Sequence, residues 1–128
     1  MTTPGGTGQV AQEGCVDVAR LAQLMLEDRD IMLVDVRRTE EWMSLRAPQT
    51  KVFVPYDELT HRHAELAADP GTPIYLICRS GRRSAIGAET LSKLGYRRVY
   101  NVSGGMKAWV AAGLPVETGP PRSAMAEG

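Results

Sequence analysis

Three short apolar runs constrain this chain most: Ile31-Met32-Leu33-Val34-Asp35-Val36, Ile74-Tyr75-Leu76-Ile77 and Val99-Tyr100-Asn101-Val102. Each is too short for a helix and lacks the polar alternation of a strand with one wet face. The first reads as a strand buried on both faces, the second as a buried strand and the third as a further strand. Between them apolar residues recur at helical spacing. Leu21, Leu24 and Met25 run up to Glu27; Ala85, Ile86, Ala88, Leu91 and Leu94 are stopped by Gly95. Strands alternating with helices predict a parallel α/β sheet covered on both faces.

The remaining segments fit that frame. Val16-Asp17-Val18 starts a short strand, with Asp17 a candidate helix cap. Thr39-Glu40-Glu41-Trp42 opens a short helix with Thr39 as cap and acids in its first turn. Val52-Phe53-Val54 is a strand closed by Pro55. Tyr56 to Ala68 is read as one helix, ended by Asp69-Pro70-Gly71. Gly104-Gly105 is a turn, and Met106 to Ala112 a last helix ended by Gly113. Residues 14–118 are expected to form one domain, with flexible tails over 1–13 and 119–128, which hold few large apolar groups.

Fifteen basic residues balance fifteen acidic ones in the 128-residue chain, so nothing global points to nucleic acid or a membrane surface. No apolar run reaches the roughly 18 residues of a membrane helix. The polar start lacks the basic and apolar regions of a signal peptide, so a cytoplasmic location is expected. Cys15 and Cys78 form no Cys-x-x-Cys or Cys/His cluster, and neither a metal site nor a cofactor is expected. Cys15, beside Val16 and Val18, reads as a structural cysteine.

The chemistry concentrates in Cys78-Arg79-Ser80-Gly81-Arg82-Arg83-Ser84, between a buried strand and a helix. Ligands of open parallel α/β sheets bind at the carboxyl ends of strands, where Cys78 falls. Gly81 lets the short loop curl, and a loop curling into a helix turns successive N–H groups toward one centre. Arg79, Arg82 and Arg83 add positive charge there. Both effects favour a thiolate, so the Cys78 pKa is expected below the free-thiol value of about 8.5. Such a thiolate is a nucleophile, and the same cradle suits the terminal sulfur of a persulfide.

From about residue 14 to 118 the chain resembles the single-domain rhodaneses, the thiosulfate sulfurtransferase-like family. Ile77-Cys78-Arg79-Ser80-Gly81-Arg82-Arg83-Ser84-Ala85 is similar to the family's six-residue active loop. Leu94-Gly95-Tyr96, Val99-Tyr100-Asn101-Val102 and Gly104-Gly105-Met106-Lys107-Ala108-Trp109 resemble its closing signature. Leu33-Val34-Asp35-Val36-Arg37 with Glu40-Glu41-Trp42 resembles its upstream one. The resemblance implies a five-stranded parallel sheet with helices on both faces. It implies Cys78 as catalytic nucleophile and Arg79, Ser80, Gly81, Arg82, Arg83 and Ser84 as the substrate-binding loop. Arg79 and Arg83 match positions where the family often places cations. Sulfur would pass from thiosulfate or a persulfide donor to cyanide, a dithiol or a protein thiol.

Two readings stand beside that enzyme. One is a sulfur-relay module acting between protein partners. The other is a phosphatase or arsenate reductase, which would use a similar Cys…Arg cradle. Phosphatases of this fold carry one residue more between Cys and the closing Arg, whereas Cys78 to Arg83 spans six.

One segment departs from the pattern. Where the family reads Gly-His-Ile-Pro-Gly-Ala, this chain has Leu45-Arg46-Ala47-Pro48-Gln49-Thr50, and one residue is inserted before Pro55. Arg46, in place of the histidine, is expected at the rim of the Cys78 pocket. Elsewhere, Asp35 at the end of a buried strand needs a partner, with Arg37 the nearest candidate. His61 and His63, two apart, are expected to be solvated, and Trp42 and Trp109 to serve the core.

Overall fold

The structure, a computed structural model, describes residues 14–67 and 69–121. The tail expected over 1–13, and 122–128 of the other tail, lie outside the described residues. Strand β1 (Cys15–Asp17) runs directly into helix α1 (Val18–Glu27). The Asp17 carboxylate accepts the Arg20 N–H at 2.8 Å and caps the helix, as its position predicts. Strand β2 (Met32–Asp35), helix α2 (Thr39–Ser44) and the short strands β3 (Leu45–Arg46) and β4 (Val52–Phe53) follow. Then come α3 (Leu59–Arg62), β5 (Ile74–Ile77), α4 (Arg82–Lys93), β6 (Val99–Ser103), α5 (Gly105–Ala111) and β7 (Glu117–Thr118).

Five strands form one parallel sheet in the order β1-β6-β5-β2-β4. This is the expected α/β fold. Because successive side chains of a strand face opposite ways, the apolar runs divide between two cores. Leu33, Tyr75, Ile77 and Val102 pack with Val18, Leu21, Met106 and Trp109, under α1 and α5. Val34, Ile74, Leu76 and Val99 pack with Leu59, Leu66 and Leu91, under α3 and α4. All five strands point the same way, so Asp35, Cys78 and Ser103 reach one edge of the sheet. Among the described residues, no helix is long and apolar enough to cross a membrane.

Three local expectations change. Arg38, not Thr39, is the N-cap of α2, and its N–H donates to Glu41 Oε1 at 3.0 Å. The segment from Tyr56 is no single helix: a 3₁₀ turn (Tyr56–Glu58), α3 and a second 3₁₀ turn (His63–Glu65) follow one another. Its fully buried leucines, Leu59 and Leu66, are seven apart with mostly polar residues between them, too thin a stripe to hold one continuous helix on the core. His63 is not simply solvated, because its Nδ1 lies 2.9 Å from the Tyr96 hydroxyl. Strands β3 and β7, unforeseen in the sequence, pair antiparallel with Leu45 opposite Thr118 and Arg46 opposite Glu117.

Candidate active site

Strand β5 lies at the centre of the sheet, between β6 and β2, and ends one residue before Cys78, which is fully buried. The chain then turns through Gly81, whose φ of +102° is open to glycine and strained for other residues. The turn brings the Gly81 N–H to 3.0 Å from Cys78 Sγ. Ser84, in the first turn of α4, directs its hydroxyl to the same sulfur at 3.2 Å, and to Asn101 Oδ1 on β6.

The loop is held from behind by the β6–α5 turn. The Met106 and Lys107 N–H groups donate to the carbonyls of Cys78 and Arg79, at 2.8 and 3.0 Å. With those carbonyls fixed toward α5, the N–H groups are left facing the sulfur. Gly105 makes this approach possible: its φ is +56°, and a Cβ there would overlap the Cys78 carbonyl oxygen and lie 2.6 Å from Arg79 carbonyl atoms.

These contacts set the electrostatics. Burial pushes the Cys78 thiol up, but the Ser84 hydroxyl and the N–H groups of Ser84, Gly81 and Ser80 together outweigh it, and the pKa falls below the ordinary thiol value. The direction is the expected one, but its main source is local hydrogen bonding rather than arginine charge. The three arginines are not all deployed alike. Arg83 makes a two-pronged ion pair with Glu41 of α2, at 2.7 and 2.9 Å. Arg83 holds the Glu41 carboxyl at about 2. Arg79 and Arg82 are exposed and make no ion pair among the described residues.

Asp35, at the neighbouring strand end, is gripped by Arg37 through bonds of 2.8–3.0 Å, and Arg37 also donates to the Leu45 carbonyl. Burial raises the Asp35 carboxyl while Arg37 opposes the rise. This pair fixes the turn out of β2, as the sequence implies. A cleft of about 400 Å³ lies beside the loop, lined among others by Arg37, Glu41, Leu45, Arg79, Met106 and Lys107. A larger cavity of about 620 Å³, between α1, Pro48–Lys51 and Trp109, contains no residue of the loop.

Arg46 is not at the rim. It is 3% exposed, its guanidinium lies 5.2 Å over the Trp42 ring, and it donates to the carbonyls of Trp42 and Gly119 and to Glu117. Alternation along β3 explains the difference: Leu45 faces the cleft and Arg46 faces the C-terminal segment. Trp42 stacks on Phe53 with ring centroids 5.0 Å apart, and Trp109 is fully buried.

Sequence reasoning passed over Asn101, Glu41 and Gly105 as site residues. Asn101 had a signal, since a polar residue within an apolar strand needs a partner just as Asp35 does. The Glu41–Arg83 pair had none, because 42 positions separate the two residues.

A strand-end cysteine in a curled N–H cradle, on a five-stranded parallel sheet, has clear counterparts among known proteins. The family model for the rhodanese-like domain matches residues 17–112, and the chain belongs to that family. A sulfurtransferase of Allochromatium vinosum is 35% identical over 79% of this chain and 92% of its own length. YrkF of Bacillus subtilis, named as a candidate sulfur carrier protein, is 35% identical over 73% of this chain, which spans only 49% of that relative. Among solved structures, a rhodanese-like domain protein from Staphylococcus aureus superposes with a TM-score of 0.67 at 30% identity, over 74% of this chain and 89% of that one. A thiosulfate sulfurtransferase from Pseudomonas aeruginosa gives 0.72 at 32% identity, over 88% of this chain and 22% of that one.

Proposed function

We propose that this protein is a sulfurtransferase that carries a sulfane sulfur on Cys78. The observation that carries the reading is the convergence of the Gly81 N–H and the Ser84 hydroxyl on Cys78 Sγ, at 3.0 and 3.2 Å. In the first half-reaction the thiolate attacks the outer sulfur of thiosulfate. The Sγ–S bond forms, the donor S–S bond breaks, and sulfite leaves with the electron pair. In the second, a thiophilic acceptor attacks the terminal sulfur and the Sγ–S bond breaks, returning the thiolate. Ser80, Gly81 and Ser84 hold the negative sulfur, while Arg79 and Arg82 attract the anionic donor. Sulfur itself carries the reaction, and a reducing cytoplasm suits a mechanism that works through a free thiol.

A second reading has support of its own. The cleft beside the loop joins apolar Leu45, Met106 and half-exposed Val110 to the cations Arg79 and Lys107. That lining fits a segment of a protein acceptor better than cyanide does, and favours relay between protein thiols. The relative named as a candidate sulfur carrier points the same way. A phosphatase is disfavoured by the six-residue span from Cys78 to Arg83. The test is intact-mass measurement after thiosulfate treatment. One added sulfur atom, lost on reduction and absent from Cys78→Ser, is the expected result. An unchanged mass with thiosulfate and also with a persulfide donor overturns the reading.

A further inference from the structure

The Ser84 hydroxyl has one proton and two acceptors. Cys78 Sγ lies 3.2 Å away and Asn101 Oδ1 closer still. Cys78 and Ser84 are fully buried and Asn101 is 9% exposed. Asn101 is also held firmly. It lies opposite Leu76 of β5 and Cys15 of β1, and its N–H donates to the Gly14 carbonyl at 2.6 Å. Its position along β6 puts its side chain on the face of Val99, toward α4 and Ser84.

Where the proton goes depends on the sulfur. A thiolate is a charged acceptor and binds a hydroxyl proton strongly; a neutral sulfur, whether thiol or the inner atom of a persulfide, accepts weakly. An amide oxygen is a good acceptor at all times. We propose that Asn101 is a positioning residue that competes with Cys78 for the Ser84 proton, so that the hydroxyl turns to the sulfur when it is charged and to Asn101 when it is not.

The proposal rests on the reading of Cys78 as the working nucleophile and adds how its charge is managed. When the thiolate attacks a donor, charge leaves Sγ and the O–H rotates to Asn101. When an acceptor takes the terminal sulfur, charge returns to Sγ and the O–H rotates back. No covalent bond changes and the buried hydroxyl is never without a partner. Asn101 thereby limits how far Ser84 can stabilise the resting thiolate, which keeps the sulfur basic enough to attack.

The two residues are in contact, yet the proposal gives their removal opposite signs. The test follows Cys78 alkylation by iodoacetamide against pH, in a Cys15→Ser background with a single thiol. Ser84→Ala removes a donor to the thiolate and should raise the midpoint. Asn101→Leu leaves Ser84 only the sulfur to bond and should lower it. Each shift should be about half to one pKa unit, the size of one hydrogen bond. The double variant should behave as Ser84→Ala alone, because Asn101 acts through Ser84. The charged groups of the surrounding elements are untouched by either replacement: Arg79 of the loop, Arg82 and Arg83 of α4, Glu41 of α2, Asp35 at the end of β2, Arg37 after it, and Lys107 of α5. A merely structural role for Asn101 would shift both midpoints the same way.

Should Asn101→Leu not fold, Asn101→Val, matching its strand neighbours, carries the same expectation. An unmoved or raised midpoint in the folded Asn101 variant overturns the proposal. This titration needs no sulfur transfer, so its failure is distinct from a failure of the mass measurement.

Discussion

Arg83 and Glu41 join the sulfur-site loop to α2 through two hydrogen bonds, of 2.7 and 2.9 Å. The pair spans from the first turn of α4 to the capping acid of α2, so one carboxylate serves both a helix start and the loop. Its pKa makes the pair a pH-dependent brace. The Glu41 carboxyl falls from 4.5 to about 2, so its contribution is fully present above the unfolded value and is lost as pH falls through the folded one. The full shift corresponds to an upper bound of about 3 kcal/mol, reduced by solvent screening at this partly exposed site. Chemical denaturation of the wild type should lose stability between pH 4.5 and 2, and Glu41→Gln should flatten that dependence. Parallel pH profiles for the two proteins would remove Glu41 from this role.

The two cysteines should separate cleanly. Cys78→Ser is expected to abolish thiocyanate formation from thiosulfate and cyanide. Cys15→Ser, a change on the half-buried edge strand β1, should keep most of it. Substantial turnover by the Cys78 variant in a standard thiocyanate assay would end the persulfide mechanism.

Arg79 is expected to act on the donor and not on the thiol. Burial raises the Cys78 pKa, and the groups that bring it down are the Ser84 hydroxyl and the loop N–H donors. Arg79→Ala should therefore raise KM for thiosulfate and flatten the salt dependence of kcat/KM, since screening acts over about 8–10 Å. The alkylation midpoint should move little. A midpoint shifted upward as strongly as in Ser84→Ala would assign the arginine a direct role in holding the thiolate.

Legibility of the molecule in its sequence followed the locality of each signal. The apolar runs at Leu33, Ile74 and Val99 declare the sheet because strands covered on both faces show no regular polar alternation. The Cys78 loop is readable because a nucleophile, a glycine, cations and a helix start fall within seven consecutive residues. Strands β3 and β7, two residues each, are too short to show any period. The Ser84–Asn101 and Arg83–Glu41 contacts exist only once the helices are laid on the sheet. Arg46 misleads for a related reason. Its charge suggests water, but a guanidinium can be buried where carbonyls, a carboxylate and a ring face are all supplied.

Gly105 should tolerate no side chain. Its φ of +56° and the overlap of a Cβ with Cys78 and Arg79 backbone leave nothing flexible to yield. Gly105→Ala is expected to cost about 2–4 kcal/mol in urea denaturation and to lower activity by displacing the loop. Wild-type stability in that variant would show that the turn can retreat from the loop.

Arg46 supplies the clearest contrast between a site residue and a clamp. Its guanidinium reaches Trp42, Glu117 and Gly119, which ties the end of α2 to the segment around β7. None of its partners belongs to the sulfur loop. Arg46→Met keeps much of the apolar stem over Trp42 and removes the donors, leaving the part-buried Trp42 and Gly119 carbonyls without the guanidinium. The expected cost is about 2–3 kcal/mol, the scale of hydrogen bonds to a charged group, with faster proteolysis or hydrogen exchange near Glu117. Turnover of the folded variant and its salt dependence should stay close to wild type, since Arg79 and Arg82 remain. Arg46→His, which restores the residue usual in the family, should likewise leave the salt slope alone while weakening the clamp. A variant that keeps full stability but loses the salt dependence of kcat/KM would return Arg46 to the rim of the sulfur site.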